Sequence, residues 1–280
     1  MKTLINYKVY KNGEEFLKDN KKILHKDITT KMQTAFFDLN ASKFQSFDVE
    51  HYGFSVSLKE KKLLLLKCAP YNALIYGDRE LSAEVAKLVI EYGVTVGNIL
   101  GEKETVVAFL KEYQKLKPGT IENIHSMSIM ALQKLSFSDE NHSVFQCTSN
   151  DLEGLAVYYR AFYMELFNSD RSLDEIKEMI KGSEQSFYAY KINNTIVSIA
   201  AKTRESKDIC CISHVYTTPE HRGKGYSARV VSKVCEELLN VKKIPYLYVD
   251  NNNPISNHLY LKLGFSYIVD QEQYNFKVIE

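Results

Sequence analysis

One passage constrains this chain more than any other. A strand-like run, Ile209 to Thr217, leads through Pro219-Glu220-His221-Arg222-Gly223-Lys224-Gly225 into a helical run from Tyr226. In that helix Val230, Val231, Val234, Cys235, Leu238 and Leu239 recur on one face. Two glycines one residue apart let backbone N–H groups approach an anion closely, and a helix start adds the positive end of its dipole. Arg222 and Lys224 supply charge. A solvated turn that holds two glycines is the plain alternative. The position between a strand and a packed helix tells against it.

Two phosphate-binding folds compete for such a loop. A P-loop needs glycine five residues before the Gly-Lys pair and Ser or Thr after it, but Thr218 and Gly225 stand there. The dinucleotide pattern fits better, because Gly223-x-Gly225-x-x-Ala228 matches it and Asp250 ends the next strand where a ribose-binding acid belongs. That fold needs further βαβ units after the loop. The roughly 30 residues that remain beyond Asp250 cannot supply them.

The loop sits late in a chain of 280 residues, long enough for two domains. Helical patches over Gly13–Leu39 precede a hairpin of Tyr52–Leu58 and Leu63–Ala69. Then follow a helix near Arg79–Tyr92, a strand at Val94–Leu100, a helix near Lys103–Leu116 and an apolar stretch at Ile129–Leu135. The polar run Ser136–His142 marks a boundary, giving domains 1–138 and 143–280. In the second, strand Val144–Cys147, helix Asp151–Phe167, helix Leu173–Lys181 and strand Phe187–Ile192 come first. Asn193-Asn194 then makes a two-residue turn into strand Thr195–Lys202. After the loop and its helix come strand Pro245–Val249, a short helix capped by Asn253 with Pro254 at its first position and Gly264 at its end, and two strands, Phe265–Val269 and Tyr274–Ile279. The predicted class is α/β, with a mixed sheet flanked by helices.

Composition excludes several functions. With 36 basic against 35 acidic residues there is no general pull toward nucleic acid or an anionic membrane. The apolar run at the N-terminus is too short for a signal peptide or a membrane span, so a cytoplasmic location is expected. Five cysteines without C-x-x-C spacing suggest neither a disulfide framework nor a metal site. Cys210 and Cys211 should point to opposite faces of a strand and serve packing.

The segments His214 to Tyr226 (HVYTTPEHRGKGY) and Tyr248 to Phe265 (YVDNNNPISNHLYLKLGF) closely resemble the GNAT superfamily of N-acetyltransferases. The resemblance spans about Val144 to Phe276. It is greatest to two-domain bacterial acetyltransferases, whose layout is related to that of glycine N-acyltransferases and whose first half can be a degenerate copy of the same fold. It implies acetyl-CoA as cosubstrate and transfer of its acetyl group to a primary amine of a small molecule or peptide. The family's Q/R-x-x-G-x-G/A loop falls on Glu220 to Gly225, departing at Glu220, so pyrophosphate binding is assigned to the amides from Arg222 through Gly223, Lys224, Gly225 and Tyr226 to Ser227. The resemblance lays the pantetheine arm along the main chain of Val215, Tyr216 and Thr217 and near Asn253 and Asn257, although Asn253 has an equal claim as a helix cap.

Acetyl transfer requires a neutral amine, stabilisation of the developing oxyanion and a proton for the leaving thiolate. Tyr260 matches the superfamily tyrosine that protonates the thiolate. No acid stands in Ile209–Ser213, where some relatives carry a strand glutamate, so Glu165 and His214 are the candidate bases, Glu165 first because its helix commonly walls the acceptor site, with a water chain as the alternative. Two other functions stay open at this level. One is an acyl-CoA-binding regulatory module without strong catalysis; the other is the nucleotide-dependent oxidoreductase suggested by Asp250.

Overall fold

The structure, a computed structural model, describes residues 4–136 and 143–279. The chain forms two compact units, and no single cut separates them. The first takes residues up to Ile129 together with Asp250–Asn252 and the chain from Ile268 on; the second takes Met130 to Val249 and Asn253 to Tyr267. The interruption expected at Ser136–His142 lies, beyond Ser136, outside the described residues.

In chain order the first half contains β1 (Asn6–Tyr10), α1 (Gly13–Leu24), α2 (Ile28–Ala41), β2 (His51–Leu58), β3 (Lys61–Cys68), β4 (Ala73–Gly77), α3 (Ser82–Glu91), β5 (Asn98–Glu102), α4 (Lys103–Leu116) and β6 (Gly119–Ala131). The second contains β7 (Val144–Gln146), α5 (Leu152–Phe167), α6 (Leu173–Ile180), β8 (Phe187–Ile192), β9 (Thr195–Thr203), β10 (Ile209–Thr217), α7 (Tyr226–Asn240), β11 (Ile244–Asp250), α8 (Pro254–Leu263) and β12 (Ser266–Val278). Both halves repeat one order: strand, two helices, three strands, helix, strand, helix, strand. Each also has a single 3₁₀ turn just ahead of its third helix, at Arg79–Leu81 and Pro219–His221.

Strands run β1-β2-β3-β4-β5-β12-β6 in the first unit and β11-β10-β9-β8-β7 in the second. β4 pairs parallel with β5 and β10 with β11, while β1 to β4 and β7 to β10 form antiparallel meanders. A doubly wound dinucleotide fold would instead be mostly parallel. In the second unit one face of the sheet packs on α7 and α8 through Val230, Val231, Val234, Leu238, Tyr260 and Leu263. Its other face packs on α5 and α6 through Leu155, Tyr159, Phe162, Ile176 and Ile180. Burying each aliphatic side chain of α7 contributes roughly 1.5–3 kcal/mol, which fixes the axis of the helix whose N-terminus meets the glycine loop.

Several sequence expectations are corrected here. The apolar stretch at Ile129–Leu135 is the end of the long strand β6, whose earlier part, Thr120–His125, is exposed and gives no apolar signal. β1 and β4 went unread because each is only five residues long. The strand expected at Val94–Leu100 begins at Asn98, and the expected final pair of strands is one continuous strand, β12. The Asn193-Asn194 turn has φ of 47° and 63° at its two residues, the left-handed pair that a tight hairpin demands.

Candidate active site

The parallel ladder between β10 and β11 joins Ile209 with Ile244, Cys210 with Pro245 and Cys211 with Tyr246, and ends there. Past Cys211, β10 keeps its partner on the other side, Tyr216 opposite Ile199 and Thr217 opposite Ser198. The main chain of Val215, Tyr216 and Thr217 therefore has no ladder with β11. A bulge between Ser213 and Tyr216 bends β10 at the same place, with His214 at φ 52°. On the β11 side this stretch of backbone has no strand partner.

At the C-terminal end of β10 the loop turns through Gly223 (φ 74°) and Gly225 (φ 80°), and Gly225 is the residue before α7. A Cβ placed on either glycine would meet nothing within 4 Å. Their left-handed backbone, not crowding by the protein, requires glycine, and the space beside them is free for a ligand. The Arg222 amide is taken up by Pro219 O at 3.2 Å, so that member of the expected amide set already has a partner. Arg229 N makes its bond to Gly225 O at 3.2 Å, and the amides of Tyr226 and Ser227 precede that first intrahelical turn. Tyr226 stacks on Tyr190 at 4.8 Å, which holds the helix start in place.

The corresponding turn of the first repeat is Gly77-Asp78-Arg79-Glu80-Leu81, between β4 and α3. Gly77 has φ 122°, and a Cβ there would sit 2.1 Å from Lys62 O. Asp78 accepts from Lys62 N at 2.8 Å, and Arg79 and Glu80 are paired with Glu104 and Lys61. This turn is filled by its own chain.

Arg222 donates through Nε to Thr217 O at 2.9 Å, and its Nη2 lies 2.7 and 2.6 Å from the two carboxylate oxygens of Glu165. Tyr216 Oη also donates to Glu165, at 3.2 Å, and the guanidinium lies 5.7 Å from the Tyr216 ring centroid. Both oxygens of Glu165 are therefore engaged. Lys224 Nζ turns back to Glu220 O at 3.1 Å. Asn253 accepts from Ser256 N at 3.1 Å as the cap of α8; Asn257 donates to Asn253 O at 2.7 Å and accepts from Tyr267 Oη at 2.7 Å.

His214 lies under α5. Its ring is 5.0, 5.3 and 6.0 Å from those of Tyr159, Phe162 and Phe187, its Nε2 is 2.8 Å from Tyr159 Oη and its Nδ1 is 2.9 Å from Ser213 Oγ. Burial, aided by the nearby Arg204 cation, pulls its pKa from the ordinary 6.5 down to about 4, so the ring is neutral at pH 7. Tyr260 is 7% exposed on α8, edge-on to Phe265 at 5.7 Å, and its hydroxyl has no hydrogen-bond partner among the described residues. Burial, with Cys211 and Cys235 adding to it, raises its pKa above the ordinary tyrosine value.

Sequence reasoning missed Tyr159, Ser213, Thr203 and Arg204 as parts of this surround. The contact of Tyr159 and Phe162 with His214 depends on a bulge that no residue pattern announces. All five cysteines are free and buried; Cys210 packs on the α7 side and Cys211 Sγ lies 2.8 Å from Arg204 Nη2. Among the described residues no group of three His, Cys, Asp or Glu is placed to hold a metal, and no helix is long and apolar enough to cross a membrane.

Residues 192–275 match the family described as FR47-like protein. No curated protein sequence matches the chain. Among solved structures it is similar to a GNAT-family acetyltransferase from Colwellia psychrerythraea, at 9% identity over 98% of this chain and 100% of that one, with a TM-score of 0.63. A GCN5-related N-acetyltransferase from Sphaerobacter thermophilus follows at 11% identity, 97% and 95% coverage and a TM-score of 0.61. A tandem GNAT protein from the clavulanic acid biosynthesis pathway aligns at 9% identity over 98% of both chains, with a TM-score of 0.56. Two repeats of one element order, the short parallel ladder and these likenesses agree: the chain has the GNAT fold, with an FR47-like match over residues 192–275.

Proposed function

We propose that the protein is an acetyl-CoA-dependent N-acetyltransferase acting on a primary amine of a small molecule or peptide by direct attack on the thioester, with 143–280 as the catalytic domain and 1–138 as its degenerate partner. The observation that carries this reading is the contrast of the two loops, one open beside Gly223 and Gly225 and the other closed by Lys62 O. Acetyl-CoA supplies an activated acyl carbonyl and a thiolate leaving group. Gly223 to Ser227 would hold its pyrophosphate, and the unladdered main chain of Val215 to Thr217 its amide arm. The Arg222–Glu165 pair is 45% and 41% exposed, and pairs so exposed are weak enough for a phosphate to take over the guanidinium. Tyr260, unpartnered, is the proton donor to the thiolate. His214, a neutral imidazole with its Nε2 against Tyr159 Oη, is the base.

A thermal titration tests the reading. Acetyl-CoA should raise the melting temperature and NAD(H) should not. The reverse result would favour the oxidoreductase suggested by Asp250. An amine-library screen for free-thiol release then separates catalysis from mere acyl-CoA binding.

A further inference from the structure

Polar side chains of the second unit form one hydrogen-bonded line through His214. Tyr159 Oη is 2.8 Å from Nε2, Nδ1 is 2.9 Å from Ser213 Oγ, Ser213 Oγ is 2.9 Å from Thr203 Oγ1, and Thr203 Oγ1 lies 3.5 Å from the Cys211 carbonyl oxygen. At the other end the Tyr163 ring packs against that of Tyr159, with centroids 5.1 Å apart. The contact of Thr203 with the Cys211 carbonyl sets a direction for the line. A carbonyl oxygen only accepts, so Thr203 donates to it and must accept from Ser213. Ser213 then accepts from Nδ1–H, because each hydroxyl has one proton to give. Nε2 is left with its lone pair toward the Tyr159 hydroxyl.

Tyr159 is 6% exposed, whereas Tyr163 is only half-buried, so the line runs from the interior toward solvent. Arg204 is the charged group acting on His214, and Tyr159 is the titratable group bonded to it; Phe162 and Phe187 close the remaining sides. A histidine held at φ 52° in a strand bulge is costly backbone, of the kind retained where a side chain must be aimed.

We propose that Tyr163, Tyr159 and His214 form a proton wire for the acyl acceptor, with Ser213 and Thr203 as positioning residues that hold His214 as its Nδ1–H tautomer. Its use in catalysis rests on the acyl-transfer reading. As the acceptor nitrogen bonds to the acyl carbon, the carbonyl π pair moves to oxygen and then returns to break the C–S bond and expel the thiolate, which Tyr260 protonates; the nitrogen meanwhile becomes strongly acidic. Its N–H bond breaks, the electron pair stays on nitrogen, and the proton passes to Tyr159 Oη while the Tyr159 proton passes to His214 Nε2. The imidazolium, disfavoured by burial and by Arg204, returns the proton through Tyr159 and Tyr163 to water. A weak base suffices for so acidic a nitrogen, and a weak base also releases the proton again.

The test uses the full chain, uniformly ¹⁵N-labelled, with the His214 ring signals assigned by their loss in His214→Gln. At pH 7 the wild type should show the neutral Nδ1–H tautomer, and Ser213→Ala should shift it toward Nε2–H. An Nε2–H ring or an imidazolium in the wild type at pH 7 overturns the wire. A second arm follows free-thiol release from acetyl-CoA with water as acceptor. Tyr159→Phe should lower kcat by at least about tenfold with KM for acetyl-CoA unchanged, and should turn a curved proton inventory in mixed H₂O and D₂O into a straight line. Wild-type kcat and curvature in Tyr159→Phe overturn its catalytic use. If the wild type releases no thiol with water or amine, the acyl-transfer reading falls and the tautomer alone decides the wire.

Discussion

Gly225→Val separates the ligand's need for space from the backbone's need for glycine. In the free protein a Cβ at Gly225 meets no atom within 4 Å, so the folding cost of an added methyl is set by φ 80°. A left-handed backbone costs an L-residue about 1–2 kcal/mol. Gly182 supplies the control, since it has φ 79°, equally open surroundings and a place at the end of α6, away from the loop. At roughly 2–4 °C per kcal/mol for a chain of this size, Gly225→Ala and Gly182→Ala should each lower the melting temperature by about 2–8 °C, and Gly225→Val by somewhat more. With acetyl-CoA at 100 times its Kd, ligand protection amounts to about 2.7 kcal/mol. Gly182→Ala should keep that protection in full, and Gly225→Val should lose it, as read by melting with and without ligand and by calorimetry. A folded Gly225→Val protein that binds CoA with wild-type affinity would refute the loop assignment.

Three further outcomes are expected. Tyr260→Phe should reduce kcat roughly 10²–10³-fold with CoA affinity little changed, measured where chemistry limits turnover; wild-type turnover would make Tyr260 a packing residue. His214 has a folded pKa of about 4 against 6.5 unfolded, so the stability present above pH 6.5 is lost as pH falls toward 4, by about 3 kcal/mol in all. Urea melts at pH 7 and 4.5 should show His214→Gln losing less over that window than the wild type, and equal losses would contradict the assignment. Calorimetric titration should give one CoA per chain, because the Gly77 turn is filled by Lys62 O; two equivalent sites would refute this.

The second repeat was legible where local chemistry decides geometry. Asn253, Pro254 and Gly264 delimit α8 because a side-chain cap, a missing N–H and a left-handed terminus are one-residue signals. The glycine loop was readable for the same reason. The first repeat was harder, since β1 and β4 are short and β6 is exposed from Thr120 to His125, so alternation never accumulates. The placement of β12 with the first unit could not be read at all, because sheet partners distant in sequence leave no local trace. Glu165 illustrates a related limit: its position on α5 was plain, but its engagement by Arg222 and Tyr216 exists only once the chain has closed.

The bulge in β10 links the end of the β11 ladder to the proton line. Along a regular strand, residues two apart share a face, so Cys210, Ile212, His214 and Tyr216 would all point toward α7. Cys210 and Ile212 do pack there. Tyr216 packs instead among Tyr159, Phe162 and Phe187 on the α5 side, and Val215 lies against the α7 side. Alternation has therefore slipped by one residue between Ser213 and Tyr216, as the register shift requires. His214 is carried with the slip into the aromatic surround of α5, while Ser213 is left beside both its ring and Thr203. The same irregularity follows directly on the last pair of the β10–β11 ladder, Cys211 with Tyr246. A strand without the slip would turn Tyr216 away from Glu165 and place His214 beneath α7, among Val230 and Val234, where neither nitrogen could reach Tyr159. The backbone strain at His214 and the end of the β11 ladder before Val215 to Thr217 meet in the same stretch of β10, which presents a neutral imidazole beside a main chain that has left its β11 partner.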